Sequence, residues 1–431
     1  MNIYEKALKL HRDLRGKIEI RVKEHANNME KLSMLYTPGV AEVVKKIHED
    51  KSLANELTMR WNFVAVISDG SAVLGLGNVG PYAAMPVMEG KALLFKEFGG
   101  VDAIPLCIDT QNVDEIVKFS LMISPTFGGI NFEDISAPRC FEIEEKLRGK
   151  IDIPIFHDDQ HGTAIVVGAA LLNALKIVNK KLSQIKVVIN GIGAAGVAIA
   201  KFLLHMGVGK MLLCDKNGIL NPYDKRTIFH KYHFELAIKT NPEGISGDLA
   251  KAMEGADVFI GVSKGNLVTG DMIRKMAEDP IVFAMANPTP EIFPEEAKAN
   301  GAKIVATGRS DYPNQVNNVL AFPGVFRGAL DVWAKEINEH MKMEASKALA
   351  NYWENNLRED SLLPPAMDKH AVVEVAFATA RSAIESGVAR RKVKEDDLRR
   401  TIENKILREN SWSDMLRESQ EKNCSNSLWK S

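Results

Sequence analysis

The 431-residue sequence lacks a charge excess, a long apolar run and any pairing of cysteines. Lys and Arg number 55 against 56 Asp and Glu, a formal net charge of −1. Proteins devoted to nucleic acid or to anionic membranes carry a basic excess, so neither is expected as a partner. The most apolar stretch, residues 164–178, is interrupted by Asn173 and Lys176 and falls short of the roughly 20 residues a membrane span needs. The opening residues, MNIYEKALKLHRDLRGK, hold no apolar core of a secretory signal. Cys107, Cys140, Cys214 and Cys424 are far apart and form no CxxC. They predict reduced thiols in a cytoplasmic protein, not a disulfide framework or a zinc knuckle.

What is there is ordinary globular composition, 45% hydrophobic and 26% charged. The length predicts about three domains. Residues 1–60 carry apolar positions at helical spacing, around Leu8 and Leu10 and again around Val40, Val43, Val44 and Ile47. From Trp61 short apolar runs (FVAVI, AIPLCI, PIF) alternate with helical stretches, the rhythm of a parallel sheet with crossover helices. A helix is expected from about Gly162 to Asn179. A second sheet region starts near Lys186, with KVVIN, KMLLCD, ADVFIGVS, PIVFAMANP and AKIVATG as five further strands. From Pro323 the chain turns helical again, with Asp368 a plausible N-cap. After Arg390 it is charged and polar, which predicts one surface helix and a frayed end. The expected organisation is α/β: residues 1–157, then 158–390, then a tail 391–431.

GxGxxG occurs twice. The first copy, Gly75-Leu-Gly77-Asn-Val-Gly80, runs straight into Pro81 and opens no clean amphipathic helix, so it reads as a turn. The second, Gly191-Ile-Gly193-Ala-Ala-Gly196, follows an apolar strand and opens VAIAKFLLHMG. Nineteen residues past Gly196 a second strand ends in Asp215. That is the full context of a dinucleotide-binding turn. Gly191 permits the turn, Gly193 the approach of the pyrophosphate, and Gly196 close helix–strand packing. Asp215 is placed to accept the ribose hydroxyls and disfavours a 2′-phosphate. Lys216 beside it would accommodate one, so NAD is expected with NADP possible.

Two acidic doublets, Glu133-Asp134 and Asp158-Asp159, end strand-like runs, at the edge where open α/β folds build sites. Adjacent carboxylates beside apolar strands call for a neutralising cation, and oxygen donors suit Mg²⁺ or Mn²⁺. Spacing alone leaves solvated loop charges an equal reading. His157 and His161 have the i, i+4 spacing of a helical zinc site. They directly follow a strand, with Gly162 next, so hydrogen-bonding roles are expected instead. Lys91 lies in an apolar helix start, where burial would lower its pKa toward that of a base. On the pattern alone, a lysine reaching to the surface is the more common case. Tyr36 precedes a Pro-Gly turn that would fix its phenol or simply pack it.

Together these segments resemble the malic enzymes of the short bacterial and archaeal type. The resemblance is carried by YTPGV (36–40), SDGSAVLGLGNVG (68–80), MEGKALLFKEFGGVDAIPLCIDT (88–110), NFEDISAP (131–138), FHDDQHGTAIV (156–166), the second glycine turn, ADVFIGVS, ANPTPEI (286–292), NQVNNVLAFPG (314–324) and ESGVAR (385–390). It implies an N-terminal α/β domain for substrate and metal, then a Rossmann-type NAD(P) domain with a helical C-terminal tail. The implied activity is oxidative decarboxylation of L-malate to pyruvate and CO₂. Glu133, Asp134 and Asp159 would hold Mg²⁺ or Mn²⁺. Lys91 would be the general base, Tyr36 the general acid, and Asp158 would orient Lys91. Ser71, Asn287, Asn317 and Asn318 would contact substrate. Gly191, Gly193, Ala194, Ala195, Gly196, Asp215, Ser263 and Asn287 would contact the cofactor. The resemblance also implies a homo-oligomer, a dimer or higher. One departure stands out: where longer relatives carry a carboxylate-clamping arginine, this chain has Ala72 after Ser71, so either Ser71 with backbone amides or a basic residue elsewhere would hold the carboxylate. Malolactic or oxaloacetate decarboxylation on the same scaffold, and a silent NAD-binding regulator, are the competing readings.

Overall fold

The computed structural model describes residues 2–73 and 75–407. The C-terminal part of the tail, residues 408–431 with Cys424, lies outside the described residues. Two parallel sheets follow one another along the chain. The first holds β1 (Phe63–Ser68), β2 (Asp102–Cys107), β3 (Gly129–Phe132) and β4 (Ile155–His157), in the order β2-β1-β3-β4. The second holds β5 (Lys186–Asn190), β6 (Lys210–Asp215), β7 (Gly218–Ile219), β8 (Val258–Gly261), β9 (Ile281–Ala284) and β10 (Ile304–Thr307). Its order is β10-β9-β8-β5-β6-β7, parallel except for β7 against β6.

The apolar runs read from the sequence are these strands. They are apolar on both faces because helices cover both: Val64 to Ile67 and Val187 to Ile189 are fully buried. In each sheet the strand order reverses beside a central strand, at β1/β3 and at β5/β8. Open α/β sheets leave a crevice beyond the carboxyl ends of such a pair.

Two helices begin where the sequence pattern argued against them. The helix Gly80–Gly99 opens at the third glycine of the first GxGxxG. Pro81 sits in its first turn, where proline is compatible with a helix because that N–H has no intrahelical partner. The helix Asp158–Ile177 starts directly on β4, four residues before the expected Gly162. Gly162 is tolerated inside it because a Cβ there would lie 1.8 Å from Asp158 Oδ1. A strand end and a helix start thus share the Asp158-Asp159 doublet.

After β10 the chain returns to the first sheet. In the helix Phe322–Asp331, Phe322 and Phe326 pack edge-on against Phe95, with centroids 4.8 and 5.1 Å away. The helices Glu339–Tyr352 and Lys369–Glu385 close this layer, the latter capped by Asp368, which accepts from His370 N and Ala371 N. Asn173, buried in the helix Asp158–Ile177, ties the layers by donating to the carbonyls of Ala350 and Leu362. The tail helix Glu395–Leu407 buries one stripe, Leu398, Ile402 and Ile406. At the other end, the helices Ile3–Leu14, Met29–Leu35 and Val40–Glu49 contain no buried residue.

Candidate active site

Acidic residues follow three of the four strands at the carboxyl edge of the first sheet. β1 runs into Asp69, β3 into Glu133 and Asp134, and β4 into Asp158 and Asp159; the helix Gly80–Gly99 brings Lys91 against them. Lys91 Nζ donates to Asp158 Oδ2 at 2.6 Å and lies 2.9 Å from Glu133 Oε1. Asp158 is 0% exposed and Lys91 7%. The Phe322 ring centre lies 4.3 Å from the ammonium. Asn318 Nδ2 donates to Asp158 Oδ2, and Asn131 Nδ2 to Glu133 Oε2 at 2.8 Å. The main-chain N–H of Asp134 donates to Asp159 Oδ2 at 2.8 Å.

Four carboxyl groups thus surround one ammonium. Burial opposes the Lys91 charge, but Asp158 and Glu133 outweigh it and hold the ammonium above the ordinary lysine value. The expectation of a lysine eased toward neutrality fails here because paired carboxylates beat desolvation. Burial, reinforced by Asp159, pushes the Asp134 carboxyl up to about 8. Burial also raises Asp158 to about 6 against the pull of Lys91, and sends Glu133 well above its usual range. Asp134 Oδ2 and Asp158 Oδ1 are buried without a partner. Excess negative charge, oxygen donors and an orphaned carboxylate oxygen fit a hard divalent cation. Among the described residues, however, no three His, Cys, Asp or Glu side chains already form a metal-binding group.

The other expected residues divide. Ser71 is buried beside the site: its N–H donates to Asp69 Oδ1 and its Oγ accepts from Ser136 N, each at 2.9 Å. The Ala72 N–H donates to Asp134 O at 2.9 Å, so the loop spends these amides on itself. Asn317 Oδ1 accepts from Val319 N and turns its neighbour Asn318 toward Asp158. Tyr36 is not among the side chains that close on Lys91: it caps the helix Met29–Leu35 and is 68% exposed. His161 sits between Glu144 Oε1 at 2.9 Å and Lys342 Nζ at 3.0 Å, a hydrogen-bonding role and not a zinc pair with His157. Two residues the sequence did not single out belong here. Asp69 is buried, and Arg139 Nη2 reaches its Oδ2 at 3.3 Å. Nothing local signals that pair, since 70 residues separate the partners.

The second glycine turn lies at the carboxyl end of β5. Gly191 has φ +103°, a left-handed backbone that favours glycine. A Cβ on Gly196 would lie 1.8 Å from Gly191 O, whereas one on Gly193 would meet open space. Close helix–strand packing and room for phosphates are therefore both present. Ala194 and Ala195 open the helix Ala194–Met206, whose free N–H groups favour an anion. Asp215 ends β6 and accepts from Asn217 N at 2.7 Å. Ser263 Oγ accepts from Asn190 Nδ2 at 2.8 Å, and Asn287 stands exposed just past β9.

A doubly wound dinucleotide fold joined to a buried lysine–carboxylate site defines a nicotinamide-dependent oxidoreductase. Residues 15–112 and 110–148 match the malic enzyme N-terminal domain, and residues 160–384 the malic enzyme NAD-binding domain. The chain is 52% identical to a bifunctional malic/malolactic enzyme of Bacillus subtilis, over 92% of this chain and 97% of that one. It is 53% identical to an NAD-dependent malic enzyme of Geobacillus stearothermophilus, over 91% and 81%. A malic enzyme structure from Pyrococcus horikoshii superposes with a TM-score of 0.89 at 46% identity, covering 94% of this chain and 96% of that one. The one from Entamoeba histolytica reaches 0.92 at 38%, covering 97% and 89%. The chain belongs to the malic enzyme family.

Proposed function

We propose that the protein oxidatively decarboxylates L-malate to pyruvate and CO₂ while reducing NAD(P)⁺. The observation that carries this reading is Lys91, buried between Asp158 and Glu133 at the edge of the first sheet. In this reading Lys91 acts as the neutral amine, reached once the negative charge that holds its proton is offset, and takes the C2 hydroxyl proton as hydride leaves C2 for NAD(P)⁺. Asp158 and Asn318 aim the amine, and Tyr36 returns a proton to C3 after CO₂ departs. Glu133, Asp134 and Asp159 would hold Mg²⁺ or Mn²⁺. When bound there, the ion would neutralise the carboxylates beside Lys91 and withdraw electrons from the substrate oxygens. Ser71, Asn287, Asn317 and Asn318 contact malate. Gly191, Gly193, Ala194, Ala195, Gly196, Asp215, Ser263 and Asn287 contact the cofactor, with NAD preferred through Asp215.

The exposed N-terminal segment supports a homo-oligomer, a dimer or higher, in which apolar residues such as Leu8, Leu14 and Met29 are covered. Tyr36 belongs to that segment, so its role requires the segment to be carried over the Lys91 pocket by assembly or closure. No helix among the described residues is long and apolar enough to cross a membrane, and Cys107, Cys140 and Cys214 are free thiols, in keeping with a cytoplasmic setting.

The test is an absorbance assay of NADH with L-malate and other 2-hydroxy acids, with NAD⁺ or NADP⁺, with and without Mn²⁺. Malate-dependent NADH and pyruvate that require Mn²⁺ are expected. The name of the Bacillus subtilis relative favours one second reading, malolactic conversion. Lactate formed without net NADH would replace the first reading with that one.

A further inference from the structure

Glu291 is a buried carboxylate that the proposed chemistry does not use. Its side chain is 0% exposed, and it makes no ion pair among the described residues. Both oxygens go to main-chain donors: Oε1 accepts from Ser263 N at 2.9 Å and Oε2 from Ala286 N at 3.0 Å. Ser263 lies two residues beyond β8 and Ala286 two beyond β9. One side chain therefore spans the carboxyl ends of two neighbouring strands. The same Ser263 receives Asn190 Nδ2 from the end of β5, and a Cβ on Gly191 would lie 2.8 Å from Ser263 Cβ. The glycine turn, Ser263 and the Asn287 loop are thus tied together through Glu291. Gly261 makes the room, since a Cβ there would fall 2.3 Å from Glu291 Cδ.

Holding the loops together does not by itself need this group. Main-chain bonds already do so: Met285 N to Gly261 O, Asn266 N to Pro290 O and Val268 N to Glu291 O, each at 3.0 Å. A buried carboxylate is costly, so spending one on the two amides at the mouth of the crevice calls for a reason there. A glutamine would not substitute for it. Its amide nitrogen cannot accept, and one of the two N–H groups would be left unpaired.

We propose that Glu291 is a positioning residue for the dinucleotide, clamping the loops after β8 and β9 before the cofactor arrives so that Ser263 and Asn287 meet it in fixed places. This rests on the reading that Ser263 and Asn287 face the cofactor. Calorimetric titration of Mn²⁺-loaded full-length protein with NAD⁺ tests it. Glu291→Gln should weaken NAD⁺ binding roughly tenfold, the worth of a charge-assisted hydrogen bond. The affinity for Mn²⁺, titrated without NAD⁺, should stay unchanged, because Glu133, Asp134 and Asp159 lie at the first sheet; a general loosening of the fold would lower it as well. Unchanged NAD⁺ affinity in Glu291→Gln overturns the proposal, as does an equal loss of Mn²⁺ affinity. Ser263→Ala separates the two levels: if it weakens NAD⁺ binding while Glu291→Gln does not, the clamp fails and the site assignment stands. If neither matters, the site assignment fails as well. Amide exchange on the unaltered protein covers a variant that does not fold. The Ser263 and Ala286 amides should be protected without NAD⁺, and exchange at solvent-exposed rates in that state would also overturn the clamp.

Discussion

Lys91 is the residue on which charge and chemistry meet. Its ammonium is held by Asp158 and Glu133, so removing it takes away the proposed base and leaves two buried carboxylates unanswered. Lys91→Ala should lower kcat by roughly 10²- to 10⁴-fold, the usual span for a positioned proton-transfer group, with a much smaller change in the KM for malate. Steady-state kinetics at saturating Mn²⁺ reads this directly, and an unchanged kcat removes Lys91 from the mechanism. A second prediction concerns Glu144. Burial opposes its charge, but His161, with help from His157 and Lys342, holds its carboxyl down to about 2. A depressed carboxyl adds stability above its unfolded pKa, here near 4.5, and loses it as the pH falls toward 2. That contribution is bounded at about 3 kcal/mol. Glu144→Gln should lower the urea midpoint at pH 6, with the gap to the unaltered protein closing between pH 4.5 and 2. A gap that stays constant over that range would refute the linkage. At this scale the sequence was legible where cost was local. Adjacent acids at apolar strand ends narrow the choice to a neutralised cluster or solvated loop charges, because buried they need neutralising. Arg139 with Asp69, and Glu291 with Ser263, could not be read, because each pairing is made by the fold across 70 and 28 residues.

The elements were legible where apolar runs were buried on both faces, and misread where punctuation residues were used inside or beside helices. Pro81 looked like a stop but occupies a helix's first turn, and Gly162 looked like a boundary but admits Asp158. Glycine inside a helix can record a close crossing, which no single-segment pattern contains. Gly168 is such a case, where the helix Asp158–Ile177 meets two others. A Cβ there would lie 2.6 Å from Phe202 Cε1 and 2.8 Å from Ser346 Oγ. Gly168→Val should therefore destabilise by about 1–3 kcal/mol despite removing a flexible glycine, since overpacking a filled crossing forces helices apart. Equilibrium urea unfolding with an unchanged m-value is the expected form. A stabilised variant would mean that the crossing yields.

For the whole molecule, the uneven feature is the N-terminal segment. Its three helices bury nothing within the chain, yet Ile3, Tyr4, Leu8, Leu10, Leu14, Met29 and Met34 are all more than half exposed. A concentration of exposed apolar side chains in one segment often marks an interface. The proposed assembly makes this segment its contact, and Tyr36 lies on the same stretch of chain. Leu8→Glu combined with Met29→Glu places charges on that surface without touching the Lys91 pocket or the glycine turn. Light scattering behind a sizing column should show the unaltered protein as a dimer or larger and the variant as a monomer. NAD⁺ affinity should be retained, because the second sheet is intact. The kcat for malate should fall together with the monomer fraction, because Tyr36 would no longer be carried to the substrate. A monomeric variant with full kcat would separate assembly from catalysis and overturn assembly as the means of bringing Tyr36 to the substrate. A variant that stays oligomeric would show that the assembly is held by another surface and overturn this segment as its contact.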